Sequence, residues 1–189
     1  VILIFVASPK YAQFALMGIA GACFMGIFLA LESYRLERLA IWRNPEKYEK
    51  GYQTLQGLYA IGSGGVFGVG IGNSVQKLGF VPEAQNDMIF SIICEELGLA
   101  GAGIIVFLFL LLIWRFFLIA SGSRDLFGAL IATGAMAHMM IQVILNIAVV
   151  TNTIPNTGIT LPFISYGGTS VMFLLIEMGL VLSVSQVVD

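Results

Sequence analysis

Charge is scarce in this chain. Of its 189 residues only 11% are Asp, Glu, Lys or Arg, against about 25% in an ordinary soluble domain. Nine basic and eleven acidic residues leave a formal net charge of -2, which excludes the basic field that a nucleic-acid surface needs. Cysteine is rarer still. Cys23 and Cys94 stand alone in apolar surroundings, without the spacing of a disulfide framework or a zinc site, and read as small core residues. No fixed-period repeat or low-complexity tract is present. The glycine-rich run has neither strict G-x-G-x-x-G spacing nor a Walker lysine, so it offers no nucleotide site.

What the chain has instead is apolar length. Hydrophobic residues make up 58% before the 22 glycines are counted, more than a soluble core of this size can hide from water. A bilayer-spanning helix needs about 20 predominantly apolar residues. Four stretches qualify: Tyr11–Leu31, Leu97–Ala120, Leu126–Val150 and Gly168–Val188. Val1–Ala7 reads as the stub of a helix that starts before the chain, because it is apolar without a charged region ahead of it. The expected fold is therefore an all-α polytopic membrane protein. It has about four full transmembrane helices plus an N-terminal helix stub.

Between the first two spans lies a long loop of different character, residues 32–96. It opens with charged, amphipathic sequence containing Arg35, Arg38, Arg43, Lys47 and Lys50. It continues through the glycine-rich run Gly62–Gly72, which is too broken for a spanning helix and reads as re-entrant or interfacial backbone. A polar corner, Val81–Asp87, then leads into apolar Met88–Cys94. The second loop, 151–167, contains no charged residue but holds Pro155, Pro162 and several Thr and Asn. Hairpin parity puts the two loops on one face of the membrane, and the Lys10 and Ser121–Asp125 turns on the other. Counting Lys and Arg alone would place the long loop in the cytoplasm.

A set of tokens comes in order. Tyr34–Arg38 is followed by Gly51-Tyr-Gln53, Ala60–Gly68, Gln76-Lys77, Pro82-Glu83, Asn86–Phe90, Glu95–Gly98 and Gly158–Gly168. From about Ser33 to its end the chain resembles the C-terminal half of the SEDS family, the FtsW/RodA/SpoVE group. The Gly158-Ile-Thr-Leu-Pro-Phe-Ile-Ser-Tyr-Gly-Gly168 stretch leans toward the division and sporulation branch. Asn86-Asp-Met-Ile-Phe90 departs from the commoner Thr-Asp-Phe-Ile-Phe, and Gln85 stands where His is frequent.

The resemblance implies a fragment of a ten-helix fold in the bacterial cytoplasmic membrane, with its long loop extracytoplasmic and catalytic. It implies a peptidoglycan glycosyltransferase that polymerises lipid II with release of undecaprenyl pyrophosphate. A divalent cation, Mg or Mn, is compatible with that chemistry, and no organic cofactor is implied. The implied partners are lipid II, undecaprenyl-linked glycan, membrane lipid and a class B penicillin-binding transpeptidase, with no nucleic acid. A lipid II flippase and a non-catalytic divisome scaffold are the alternatives.

Site residues carry over by position. Asp87 matches the family's essential aspartate, and its implied role is the general base that deprotonates the acceptor hydroxyl. Local sequence by itself reads Asp87 as an N-cap for a helix starting at Met88. Lys77, Arg38, Arg35 and Arg43 are candidates for binding pyrophosphate oxygens or lipid heads, with Glu83 and Ser165 also assigned to substrate. Glu95 and Glu96, two helical turns beyond Asp87, could tune its pKa, help hold a cation, or mark the end of a span. His138, Gln142 and Asn146 recur every four residues along one helix face, as interhelical glue or a cavity lining, and His138 is expected to pair with Glu177.

Overall fold

A computed structural model describes residues 11–30 and 33–186, so the expected stub at Val1–Ala7 lies outside the described residues. Among the described residues every extended element is helical. In order they are α1 (Tyr11–Ala30), α2 (Ser33–Arg43), α3 (Tyr52–Gly64), α4 (Ile89–Gly122), α5 (Leu126–Val150) and α6 (Gly168–Ser185). Short 3-10 turns lie at Pro45–Lys47, Glu49–Gly51 and Gln76–Leu78. α4, α5 and α6 are each long and apolar enough to cross a bilayer. α1 adds 20 residues without a charge, about 30 Å of helix. The chain is an all-α, multi-pass membrane protein.

α5 is the most enclosed of the three long helices, and it packs against both α4 and α6. The core joins Phe109 and Phe116 of α4 to Ala135, Met139 and Val143 of α5 and Val181 of α6. Small residues on α5, among them Ala132, Ala135 and Ala137, let neighbouring backbones approach closely, as membrane packing favours. Leu99, Ile104, Phe107 and Leu110 on the outer face of α4 stay exposed, as a lipid-facing surface requires. At the α4–α5 turn, the Asp125 carboxylate accepts from the Gly128 N–H at 2.7 Å and caps α5. Cys94 is buried in the core, whereas Cys23 is exposed on α1.

The second span begins earlier than its apolar run. α4 starts at Ile89 and is broken at Gly98, where φ is 67° and ψ is -170°. The break takes the Glu95 and Glu96 carbonyls and the Leu99 and Ala100 N–H groups out of helical pairing. The glycine-rich segment satisfies all four. Val69 and Gly70 donate to the Glu95 and Glu96 carbonyls at 2.9 and 3.0 Å. Leu99 and Ala100 donate to the Gly65 and Val66 carbonyls at 2.9 and 3.0 Å. At membrane depth each unsatisfied group would cost several kcal/mol. The close approach explains the glycines: a Cβ on Gly64 would sit 1.9 Å from the Cys94 carbonyl oxygen, and one on Gly98 would sit 2.4 Å from the Gly68 nitrogen.

His138 and Glu177 sit near the middles of α5 and α6, and they meet. His138 Nδ1 lies 2.9 Å from Glu177 Oε1 and 3.0 Å from Oε2. The expected pair therefore exists. A double-mutant cycle with His138→Ala and Glu177→Ala, read by thermal unfolding in detergent, is expected to give a coupling of about 0.5–2 kcal/mol. Simple additivity would mean that the contact contributes nothing.

Candidate active site

Four separated segments enclose a cleft of about 330 Å³ at the end of the bundle where α5 finishes and α4 and α6 begin. α2 supplies Glu37, Arg38, Ile41 and Trp42. The first turn of α3 supplies Gln53 and Thr54, and the corner before α4 supplies Glu83 and Asp87. The second loop supplies Asn152, Asn156, Thr157 and Gly158. The walls are fastened to one another through hydrogen bonds. Arg38 Nη1 donates to the Asn156 carbonyl and Trp42 Nε1 to the Asn152 carbonyl, each at 2.9 Å.

Asp87 is 9% exposed and lies in the turn just before α4. The N-cap reading of its side chain is not met: α4 starts one residue later than that reading expected, its N-cap position is Met88, and no side chain caps it. The carboxylate turns to the cleft instead. Gln53 Nε2 donates to Asp87 Oδ1 at 3.3 Å and to the Pro82 carbonyl at 3.2 Å. Asn156 Nδ2 in turn donates to Gln53 Oε1 at 3.4 Å. Burial raises the Asp87 pKa above the usual carboxylate range, and the negative charge of Glu83 adds to the rise. Hydrogen bonds from its own backbone, Asn156 and Gln53 offset part of it. A carboxylate desolvated in this way is a stronger proton acceptor than one in water.

The cleft also stores backbone strain. Glu83 and Asn152, which both line it, hold positive φ values of 53° and 55°, a conformation that costs a non-glycine residue about 1–3 kcal/mol and gathers at functional sites.

Of the residues carried over from sequence, Asp87, Glu83 and Arg38 come together in this cleft. Arg35 belongs to α2, but its side chain lies outside the described residues. Arg43 is exposed in the last turn of α2 and does not line the cleft. Lys77 is elsewhere: its Nζ pairs with Glu96 Oε1 at 2.6 Å. It faces a neighbouring groove of about 590 Å³ that shares Glu83. Glu95 is buried and accepts from Ser74 Oγ and, at 3.1 Å, from the Val75 N–H. Glu95 and Glu96 thus anchor the Ser74–Lys77 turn rather than meeting Asp87. Ser165 is buried; its Oγ accepts the Leu161 N–H at 2.7 Å, beside a groove that also contains Gln85 and Tyr166.

The polar face of α5 divides its partners. Gln142 Nε2 donates to the Thr160 carbonyl at 3.1 Å, and Asn146 Nδ2 donates to the carbonyls of Asp87 and Ile159 at 2.8 and 2.7 Å. Sequence reasoning did not single out Gln53, Asn156 or Trp42. A signal for Gln53 was present in Gly51-Tyr-Gln53, and one for Asn156 in the uncharged, amide-rich second loop. Nothing local marked Trp42.

These features define a class: a helical multi-pass membrane protein whose loops enclose a polar cleft around one buried carboxylate. The chain belongs to the FtsW/RodA/SpoVE family of cell cycle proteins, whose family model matches residues 1–189. It is 45% identical over 189 residues to stage V sporulation protein E of Bacillus subtilis, covering 98% of this chain and 51% of that protein. It is 42% identical over 188 residues to the probable peptidoglycan glycosyltransferase FtsW of Coxiella burnetii, covering 97% and 50% respectively. Among solved structures it resembles a chain of a peptidoglycan synthase complex that coordinates polymerization and crosslinking. There the TM-score is 0.79 at 28% identity, over 98% of this chain and 52% of that one. The rod shape determining protein RodA of Thermus thermophilus matches with a TM-score of 0.54 at 34% identity, over 69% of this chain and 39% of that one. The chain spans about half the length of the curated relatives it matches.

Proposed function

We propose that the full-length protein is a peptidoglycan glycosyltransferase that polymerises lipid II, with Asp87 as its general base. The observation that carries this reading is the Asp87 carboxylate: buried, raised in pKa and aimed by Gln53 into a cleft that also presents Arg38. Asp87 takes the proton of the acceptor sugar hydroxyl as its oxygen attacks the anomeric carbon of the second, α-linked sugar. A β-glycosidic C–O bond forms while the anomeric C–O bond to pyrophosphate breaks. One displacement inverts the centre, and undecaprenyl pyrophosphate leaves with the bonding electrons. Arg38 is placed to balance the pyrophosphate charge, so a second carboxylic acid is not required.

Among the described residues no three His, Cys, Asp or Glu side chains gather as a metal cage. The donor set fits instead a magnesium-type ion shared between one carboxylate and substrate phosphates. Glu83 and Glu37 are the other carboxylates of the cleft, and Glu83, on the same corner as Asp87, would hold such an ion. When bound, it would supply further neutralisation of the leaving group.

The cleft belongs, in this reading, to the outer face of the bacterial cytoplasmic membrane, where lipid II is consumed, and a class B penicillin-binding transpeptidase cross-links the product. The burial of Asn146 and the bond from Gln142 to Thr160 support the enzyme reading over a flippase, because that face of α5 is spent on holding a loop. The test is the full-length protein in detergent with its transpeptidase and fluorescent lipid II. Glycan polymer is expected with magnesium or manganese, with at least a tenfold loss on chelation by EDTA. Absence of polymer under every cation condition would overturn the proposal.

A further inference from the structure

We infer that Asn146 is a positioning residue, which holds the Asp87 carboxylate in register from behind through the Asp87 main chain; this rests on the glycosyltransferase reading above. Asn146 is completely buried in the last turns of α5. Its single amide nitrogen bridges two carbonyls from distant segments, Asp87 at 2.8 Å and Ile159 at 2.7 Å. The two acceptors fix the orientation of the amide, since its oxygen cannot accept from either carbonyl. That oxygen is buried without a partner. The Gln142 amide oxygen is likewise without a partner among the described residues, so what sets Asn146 apart is its bond to the Asp87 carbonyl.

The bridge joins both walls of the cleft. Asp87 belongs to the corner before α4, and Ile159 comes directly after Asn156, Thr157 and Gly158 in the second loop. On the cleft side the contacts are longer: Gln53 reaches Asp87 at 3.3 Å, and Asn156 reaches Gln53 at 3.4 Å while also bonding to the carboxylate. The short bonds are behind the carboxylate, and the long ones leave its front free to follow a reacting hydroxyl. Asn146 touches neither the cleft nor a substrate, so it acts on Asp87 only by position. Gln142, one turn earlier on the same face, makes the comparable bond to Thr160 without touching Asp87. It is the natural control.

The experiment compares Asn146→Leu, which removes both donors and keeps the branched shape of the side chain, with Gln142→Leu in the full-length protein. Polymerisation of fluorescent lipid II is followed as kcat and KM over a range of pH, and folded protein is quantified by thermal unfolding. For Asn146→Leu we expect kcat to fall about 10- to 100-fold with KM within about threefold. The acid limb of its pH profile should move to higher pH, because a displaced Asp87 loses the hydrogen bonds that favour its ionised form. Gln142→Leu should keep kcat within about threefold and leave the acid limb in place. Equal losses in the two variants, or a loss of folded protein in Asn146→Leu with unchanged kcat per folded molecule, would overturn the inference. If Asn146→Leu fails to accumulate, Asn146→Ser is read against the same outcomes. An inactive wild type would instead remove the glycosyltransferase reading, which separates the two failures.

Discussion

Asp87→Asn is expected to stop polymerisation of lipid II, with kcat falling at least about 100-fold while the protein stays folded. The substitution keeps the shape of the side chain and removes its capacity to take a proton. The other carboxylates of the cleft are placed differently: Glu83 is exposed and turned to Asn86, whose Nδ2 donates to its Oε2, and Glu37 stands on α2, on another wall. The wild-type rate should rise with pH through the Asp87 pKa, because only the ionised carboxylate is a base, and that midpoint should lie above the usual carboxylate range. Stability runs the other way. A group whose folded pKa is raised contributes stability that is present below its unfolded pKa and lost as pH rises through the folded one. At neutral pH, then, Asp87→Asn should unfold no lower in temperature than wild type. A variant that is folded and fully active would reduce Asp87 to a structural acid. One that is inactive because it is unfolded would leave the base role to be read from the wild-type pH profile.

Gly68→Ala is expected to be strongly destabilising, because it combines a left-handed backbone with a collision against α4. Gly68 has a φ of 78°, and its added Cβ would lie 2.1 Å from the Glu96 carbonyl oxygen. That carbonyl is one of those released by the helix break, and it is already held by the Gly70 N–H. Making room for a methyl group means parting the glycine segment from α4, which exposes backbone groups that membrane surroundings cannot satisfy. A loss of about 3 kcal/mol or more is expected. Gly72→Ala separates strain from collision: its φ is 86°, but nothing lies within 4 Å of the added atom. It should cost only about 1–2 kcal/mol. Thermal unfolding of both variants in detergent is the measurement. Equal losses would mean that the segment can step away from α4, and that the break at Gly98 is held by something else.

Glu95 and Glu96, whose place two turns beyond Asp87 left tuning its pKa, holding a cation and marking the end of a span all open, show how little local spacing decides. Two helical turns carry a side chain about 11–12 Å along the axis. Both carboxylates were instead claimed by the Ser74–Lys77 turn, through Ser74 Oγ, the Val75 N–H and Lys77 Nζ. Apart from Glu83, the residues that surround Asp87 come from far away. Arg38 reaches across 118 positions to Asn156, and Gln53 across 34 to Asp87. No periodicity within a window of a few turns encodes such meetings.

The sequence by itself determined the membrane class, the apolar runs that became helices, the presence of a polar corner at Asp87, and the family. It also raised the His138–Glu177 pairing as an expectation, which the structure then met. These features rest on local composition and on the cost of placing charge in hydrocarbon, which are properties of short stretches. Tertiary structure alone decided which amides face the carboxylate, where α4 breaks, and that Lys77 pairs outside the cleft. Those outcomes depend on which loop reaches an unsatisfied carbonyl or carboxylate first in three dimensions, and each buried polar group takes the nearest partner that the packed helices allow.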